Sequence, residues 1–270
     1  MTRADPATGG VPVDAHVHLH PEHSLARVYA RAARRFARVA PGTRGVLMLT
    51  QTTRAREALT SLADEPRGWA FEPLEPGLSG LARHPDRGEV FVVQGLQIVT
   101  RDRLEVLGLA MSVPVFDHLD TRETIEAVLA GDGFPVLPWG VGKWWGERGK
   151  LIGDLVRNAR HGDLALGDNA GRPWGWPRPR QFRLAEERGI PVLPGSDPLA
   201  IPGHQTRPAK YGLLANLTLD PVAPAASLRA WLKGISASPE PFGRRTDPVS
   251  FVLDQASIRA RKAANLGGVA

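Results

Sequence analysis

Hydrophobic and polar positions alternate along the chain in a pattern that predicts short strands separated by helices. The first strand is the apolar stretch at residues 9–19, and residues 24–40 follow with apolar side chains at helical spacing. Pro41 and Gly42 end that helix. Further strands are predicted at residues 44–53, 88–100, 104–113, 134–140, 163–169 and 190–198. Further helices are predicted at residues 54–65, 118–133, 149–162, 180–189, 206–216, 224–233 and 248–265.

Repeated strand–helix units predict a parallel sheet covered by helices, with one antiparallel pair within residues 88–113. Six or seven such units in about 200 residues fit a barrel better than an open sheet. No G-x-G-x-x-G follows the first strand, which argues against a dinucleotide-binding domain. We predict one α/β domain over residues 1–270: a distorted seven-stranded TIM-like β/α barrel at about 11–200 and a helical C-terminal extension at about 201–270.

Composition narrows the class of protein and the kind of site. Of the 270 residues, 42% are hydrophobic and 23% charged, as in ordinary globular proteins. No apolar run approaches the roughly 20 residues of a membrane span, and the N-terminus lacks the apolar stretch of a signal peptide, so we expect a cytoplasmic protein without a membrane partner. The chain has no cysteine, so any metal must bind to ligands such as His, Asp or Glu.

The formal net charge of +6 raises the question of a polyanionic partner. The basic residues are nearly all arginine and are spread along the chain rather than clustered. We interpret them as diffuse surface charge and expect no nucleic-acid partner, although a small anionic ligand fits this balance. No Walker loop is present, so no nucleotide cofactor is expected. The oligomeric state stays open.

Four of the eight histidines fall within residues 16–23, at the end of the first strand. Residues two apart in a strand share a side, so His16 and His18 face one way and can bind one cation. Asp197 ends the last barrel strand, which would lie beside the first. We therefore predict one divalent metal, Zn²⁺, Mn²⁺ or Fe²⁺, on His16, His18 and Asp197. The alternative is that the histidines cap the strand and contact backbone carbonyls.

The segment V-D-A-H-V-H-L-H at residues 13–20 and the late G-S-D-P at 195–198 resemble motifs of the polymerase and histidinol phosphatase (PHP) family. The resemblance covers about residues 11–200. It implies a distorted seven-stranded β/α barrel with two or three metals and, in most members, hydrolysis of phosphoesters. The D-x-H-x-H pattern also opens the amidohydrolase superfamily, a more distant resemblance.

Several ligand positions of that family are changed in this chain. Gln51 follows the second strand where the family has an Asp-His pair, and Gln97 stands at the bridging glutamate. Trp139 and Leu199 stand at two further histidine positions. An amide in place of a bridging carboxylate removes charge that would hold two cations together, so the resemblance implies a reduced, mononuclear site. Candidate fourth ligands are Asp168, His20 and His204.

A second cluster follows the fifth and sixth strands. Residues 139–150 and 166–180 hold five of the seven tryptophans and several polar side chains. The rings could wall a pocket for an anionic substrate, or they could form a rigid lid that packs on itself. On the first interpretation, the substrate-binding residues are Lys143, Arg148, Asn169, Arg172 and Trp139.

Three functions stay open at this point. The first is a metal-dependent hydrolase that acts on a phosphoester or another small anionic substrate, with Asp197 or Asp168 as the catalytic proton acceptor. The second is a catalytically inactive barrel of the PHP type that binds an anionic ligand. The third is a compact amidohydrolase-type enzyme that hydrolyses a C–N or lactone bond.

Overall fold

The computed structural model describes residues 10–52 and 68–267, which form a mixed α/β fold of two sheets and six helices. The strands are β1 (Val11–Val17), β2 (Gly45–Leu49), β3 (Gln51–Thr52), β4 (Ala70–Pro73), β5 (Ser79–His84), β6 (Gly88–Val93), β7 (Gly95–Val99), β8 (Glu105–Leu109), β9 (Phe134–Pro138), β10 (Ala165–Asn169), β11 (Val192–Gly195), β12 (Tyr211–Ala215) and β13 (Glu240–Gly243). The helices are α1 (Leu25–Val39), α2 (Thr121–Ala130), α3 (Gly146–Asn158), α4 (Arg180–Glu187), α5 (Pro224–Gly234) and α6 (Pro248–Gly267).

The two sheets are joined by strands that pass from one to the other. The first sheet has the order β13-β12-β1-β2-β6-β5-β4, and the second has the order β11-β10-β9-β8-β7-β3. The chain leaves the first sheet after β2 and enters the second as β3, and β6 continues as β7 in the same way. The predicted antiparallel pair is confirmed as β7 and β8, while β9, β10 and β11 run parallel.

The described strand ladders do not close a barrel. Strand β11 lies against β1 and β12, but no described ladder joins it to β1. One backbone hydrogen bond crosses this seam beyond the end of β11. In it, the Asp197 N–H donates to the His16 carbonyl at 2.8 Å. The described structure is therefore two sheets that meet along an open seam, and the predicted closed seven-stranded barrel is not confirmed.

Apolar side chains form three layers around the sheets. The inner core lies between the sheets and includes Leu228 and Leu232 of α5. A second core packs the outer face of the second sheet against α2, α3 and α4, and a third packs the first sheet against α1. Burial of this alternating pattern is what selects these strands and amphipathic helices. None of the described helices is long and apolar enough to cross a bilayer.

The structure corrects the expected C-terminal extension. The helix predicted at 206–216 is wrong, because Tyr211–Ala215 forms β12 and pairs antiparallel with both β1 and β13. Gly212 fits there because a Cβ atom would lie 2.4 Å from the Val13 carbonyl oxygen. The predicted helices at 224–233 and 248–265 are confirmed as α5 and α6. The hairpin of β4 and β5 was not predicted, and the helix expected at 54–65 lies outside the described residues.

A carboxylate of the last helix helps to hold that helix to the body of the protein. Asp254 of α6 accepts from His204 Nε2 at 3.0 Å and pairs with Arg207 at 2.7 Å. The Leu199 N–H donates to His204 Nδ1, which assigns the ring proton to Nε2. Burial raises the pKa of Asp254, but the bond from His204 and the charge of Arg207 more than offset it, so its pKa is lowered.

A buried carboxylate also fastens the open seam. Asp14 of β1 has no exposed surface and accepts from the Ser196 N–H at 2.8 Å and the Ala209 N–H at 2.7 Å. It also accepts from the His16 N–H at 3.3 Å. Burial raises the pKa of Asp14 to about 6, against the opposing effect of these bonds. One side chain thus links β1 to the end of β11 and to the segment before β12.

We expect Asp14→Asn to lower the free energy of unfolding by about 2–4 kcal/mol, because the amide nitrogen presents a donor to at least one of the three N–H groups that the carboxylate accepts. Urea denaturation followed by circular dichroism measures this change. Asp154→Asn, which alters an exposed pair with Arg157, is the control and should change stability by less than about 1 kcal/mol. Equal effects of the two substitutions would contradict the role of Asp14.

Acid should loosen the attachment of α6. Because the folded-state pKa of Asp254 is lowered, its contribution is present above the unfolded value of about 3.9 and is lost as the pH falls through the folded value. We expect Asp254→Asn to cost about 1–3 kcal/mol at pH 7 and to flatten the loss of stability below pH 4. Stability measured from pH 3 to pH 7 tests this, with exposed Asp86→Asn as the control. An unchanged acid profile would refute it.

Candidate metal centre

A bulge in β1 sets the direction of the histidine side chains. The pairing of β1 with β2 shifts by one residue between Asp14 and Val17. Before the shift Val13 points into the inner core, whereas after it Val17 points to the α1 layer. The extra residue therefore reverses the alternation of the strand. His16 and His18 are consequently placed together on the inner side, at the carboxyl end of β1.

Three ligand atoms converge at this end of the strand. His16 Nε2 and His18 Nε2 are 3.1 Å apart, and Asp197 Oδ1 lies 3.5 Å from the first and 3.7 Å from the second. Both histidines are buried, and the Asp197 side chain is 19% exposed. In the described part of the chain, this is the one group of three His, Asp or Glu ligand atoms close enough to hold an ion. The predicted metal ligands are thus brought together.

The size of this triangle fits a transition metal. The point equidistant from the three atoms lies about 2.0 Å from each of them, close to the bond lengths of Zn²⁺ to imidazole nitrogen and carboxylate oxygen. Two imidazole nitrogens 3.1 Å apart beside a carboxylate also need a cation or a shared proton between them. The ligand set and its spacing therefore suit one divalent ion.

The electrostatic environment keeps the ligands in the forms that bind metal. Burial and the neighbouring His16 lower the pKa of His18 to about 3, so its ring stays neutral. Burial raises the pKa of Asp197, but its electrostatic interactions with the nearby His16, His18 and Lys143 side chains more than offset burial, and its pKa is lowered. A neutral imidazole and an ionised carboxylate are the species that coordinate divalent ions.

The backbone holds Asp197 against β1 in an uncommon conformation. Its φ of +46° lies in the left-handed region, which Asp tolerates better than most residues. Gly195 allows the close approach, because a Cβ atom there would lie 2.4 Å from the Cβ atom of His16. Left-handed residues cluster at functional sites, where the surrounding structure supports the strain.

Two glutamines contact the segment that carries the histidines. The Gln51 amide bonds both backbone groups of Leu19, accepting from its N–H and donating to its carbonyl, each at 2.8 Å. The Gln97 side chain hydrogen-bonds to His18. Gln51 thus fixes the segment after His18, and Gln97 orients the ring. Their neutral amides add no charge to the centre.

The other histidines of the motif follow the alternative interpretation. His20 Nε2 donates to the Pro198 carbonyl at 2.9 Å, and His23 Nε2 contacts the Leu199 carbonyl at 3.2 Å. His204 uses both ring nitrogens in the attachment of α6. None of these three belongs to the described ligand group, so the structure offers them as supports of the loop rather than as a fourth ligand.

Asp168 and its neighbours lie elsewhere. Asp168 shares a face of β10 with Leu166, which packs in the outer core. Its two oxygens accept from Arg172 at 2.8 and 2.7 Å, so this pair is not brought to the three ligands. Asn169 donates to the Trp139 carbonyl at 2.7 Å. Asp168 and Arg172 are therefore paired with each other on the outer side of β10, whereas Asn169, the next residue of the strand, binds the Trp139 carbonyl.

Three of the five tryptophans, Trp139, Trp144 and Trp176, pack in or against the outer core, while Trp145 and Trp174 are exposed. Trp139 is buried in the outer core and contacts the Trp176 ring, which in turn contacts Phe251 of α6. Arg148 donates to backbone carbonyls rather than to a cavity. Lys143 differs, because it pairs with Glu105 and its charge acts on Asp197. Of the expected substrate-binding residues, Lys143 is the one whose charge acts on the metal ligands.

Sequence reasoning missed the supporting roles of Asp14, Gln51 and Gln97. The signal for Asp14 was a lone acidic residue inside an otherwise apolar strand, which requires several donors to be buried. The two glutamines were noted as substitutions, but their partners come from segments that fold together only in three dimensions.

No protein-family model matches the chain, and no curated protein matches it. Among solved structures, PsfC from Pseudomonas syringae PB-5123 matches with a TM-score of 0.57 and 15% identity, over 95% of this chain and 100% of PsfC. This likeness shows a shared overall fold. The lesion-specific endonuclease PfuEndoQ from Pyrococcus furiosus matches with a TM-score of 0.47 and 14% identity, over 83% of this chain and 56% of that one.

We expect the purified protein to bind about one equivalent of Zn²⁺ or Mn²⁺, and His18→Ala to weaken binding at least tenfold because it removes one of three ligands. Isothermal titration of chelator-treated protein measures both. The control is His161→Ala, an exposed histidine outside the centre. If His18→Ala binds as tightly as the parent, the three atoms share a proton rather than a metal.

Proposed function

We propose that this chain is a metal-dependent hydrolase with a mononuclear centre on His16, His18 and Asp197. The convergence of three ligand atoms within 3.1–3.7 Å of one another is the observation that carries the proposal. A divalent cation bound there would supply Lewis-acid activation of water and of a substrate oxygen. One ion is proposed because the amides of Gln51 and Gln97 bring no carboxylate for a second.

The residues of the chain divide the remaining work. Asp197 Oδ1 faces the imidazoles, which leaves Oδ2 as the atom to accept a proton from a nucleophilic water. Gln97 orients His18, while Asp14 and Gln51 hold the two segments that carry the ligands. Asp197 is preferred to Asp168 because the latter is already bound to Arg172.

The proposed substrate is a small anionic molecule, with a phosphoester first. Lys143 is partly exposed, and its charge acts on the centre, so it can attract and orient an anionic group. The centre itself holds a single carboxylate, so a divalent ion would leave it positive. The resemblance to the PHP family favours phosphoesters, and the proposal includes a distorted barrel of that type.

A second candidate is a protein of the same fold that binds an anionic ligand without turnover. This candidate is favoured by the position of the Gln51 amide. The amide is bound to the Leu19 backbone through both its oxygen and its nitrogen, and takes no part in chemistry. This candidate predicts stabilisation by an anion in the absence of product formation.

We expect metal-loaded protein to hydrolyse a generic phosphoester such as p-nitrophenyl phosphate, and His18→Ala or Asp197→Asn to reduce kcat/KM at least a hundredfold. Lys143→Met should raise KM more than it lowers kcat, because it removes attraction rather than chemistry. His161→Ala serves as the unchanged control.

The same assay separates the alternatives. Turnover of an N-acyl amino acid or a lactone, without phosphoester hydrolysis, would support the amidohydrolase interpretation instead. Binding of anions without turnover of any of these substrates, under loading by Zn²⁺, Mn²⁺ and Fe²⁺, would support the non-catalytic candidate.

A further inference from the structure

A cavity separate from the metal centre lies on the outer side of β10 and β11. Its volume is about 430 Å³, and it is lined by residues that include Asp168, Arg172, Arg178, Tyr211 and Arg245. Asp168 faces it from the side of β10 that carries Leu166 of the outer core, whereas His16 and His18 face the inner side of β1. The proposed hydrolase uses none of these lining residues.

Two of the three arginines in this cavity are already neutralised. Arg172 grips both oxygens of Asp168, and the Tyr211 hydroxyl donates to the same carboxylate at 3.1 Å. Arg178 bonds both oxygens of Glu186 at 2.6 Å. Each is a two-point pair in which charge and geometry are satisfied. These pairs line the cavity, and a carboxylate balances the positive charge of each of the two arginines.

Arg245 is the exception. Its Nη1 atom is buried and has no hydrogen-bond partner among the described residues. No described carboxylate lies within ion-pair distance of its guanidinium. A buried N–H that gives up water without gaining an acceptor costs about 1–3 kcal/mol, and more for a charged group. Arg245 therefore brings to the cavity a charge that no described carboxylate balances, while its Nη1 atom itself has no surface open to the cavity.

Glu240 also lines the cavity, but its side chain is exposed and remains in contact with solvent. Asp168 and Glu186 are committed to their own arginines. The local charge that a ligand would meet in the interior is thus that of Arg245. Cavities of this volume suit a small molecule rather than a macromolecule.

We propose that this cavity is a binding site for a small oxyanion, a carboxylate or a phosphate, held by Arg245. The guanidinium would donate to the anion from its nitrogens other than the buried Nη1, with Tyr211 and the Arg172–Asp168 pair as the rigid wall beside it. This inference is independent of the proposed function, because it uses a different cavity and none of the metal ligands.

Titration of chelator-treated protein with inorganic phosphate, and separately with malonate, tests the proposal at constant ionic strength. We expect saturable thermal stabilisation by at least one anion, and the stronger of the two identifies the chemistry. Arg245→Met should weaken binding at least tenfold, whereas Arg244→Met, the exposed neighbour, should not. His18→Ala should bind the anion normally, which separates this cavity from the metal centre.

Two further measurements make the result decisive. Trp176 lines the cavity, so its fluorescence should change on binding, and Trp176→Phe should abolish that signal but keep the thermal shift. Without anion, Arg245→Met should be at least as stable as the parent, because it removes an unpaired charge. If that variant fails to fold, Arg245→Lys should bind more weakly than the parent. Absence of saturable binding, or equal affinity in the Arg245 and Arg244 variants, would overturn the proposal.

Discussion

The buried carboxylate of Asp14 is the interaction on which the arrangement of this protein depends. Among the described residues, no continuous ladder of backbone bonds closes the seam between the two sheets, so backbone polar groups beside this seam need other partners. Asp14 supplies them to Ser196 and Ala209 at once. Because Asp14 binds the residue directly before Asp197, the same side chain that fastens the seam also helps to determine where the Asp197 carboxylate lies relative to the histidines.

The D-A-H-V-H-L-H segment serves three purposes within seven residues. Asp14 fastens the seam, His16 and His18 present nitrogen ligands, and His20 secures the loop after β11 through Pro198. The two interpretations of the histidines, as metal ligands or as partners of backbone carbonyls, each describe part of the motif. A metal site of this kind needs both, since ligands on loops hold their geometry only when the loops are themselves tied down.

The sequence predicted most helices and most strands of the inner core, because their patterns are local. It also predicted that three candidate ligand side chains converge, since two belong to one strand and the third follows a strand that the expected fold places beside it. It failed for β12, where short apolar residues look helical and only pairing with β1 decides the structure. Asp168 is not brought to the ligand group, because the direction of a side chain at a strand end depends on which core its neighbours join.

The extra residue in β1 has a consequence for how such a centre can be altered or transplanted. It reverses which side chains point inward in the remainder of the strand. The two histidines therefore face the inner side only because of this bulge. If the same residues were grafted onto a regular strand, both imidazoles would point to the layer of helices instead. Loss of one residue there would exchange the ligands for Val17, converting a polar end of the sheet into an apolar one.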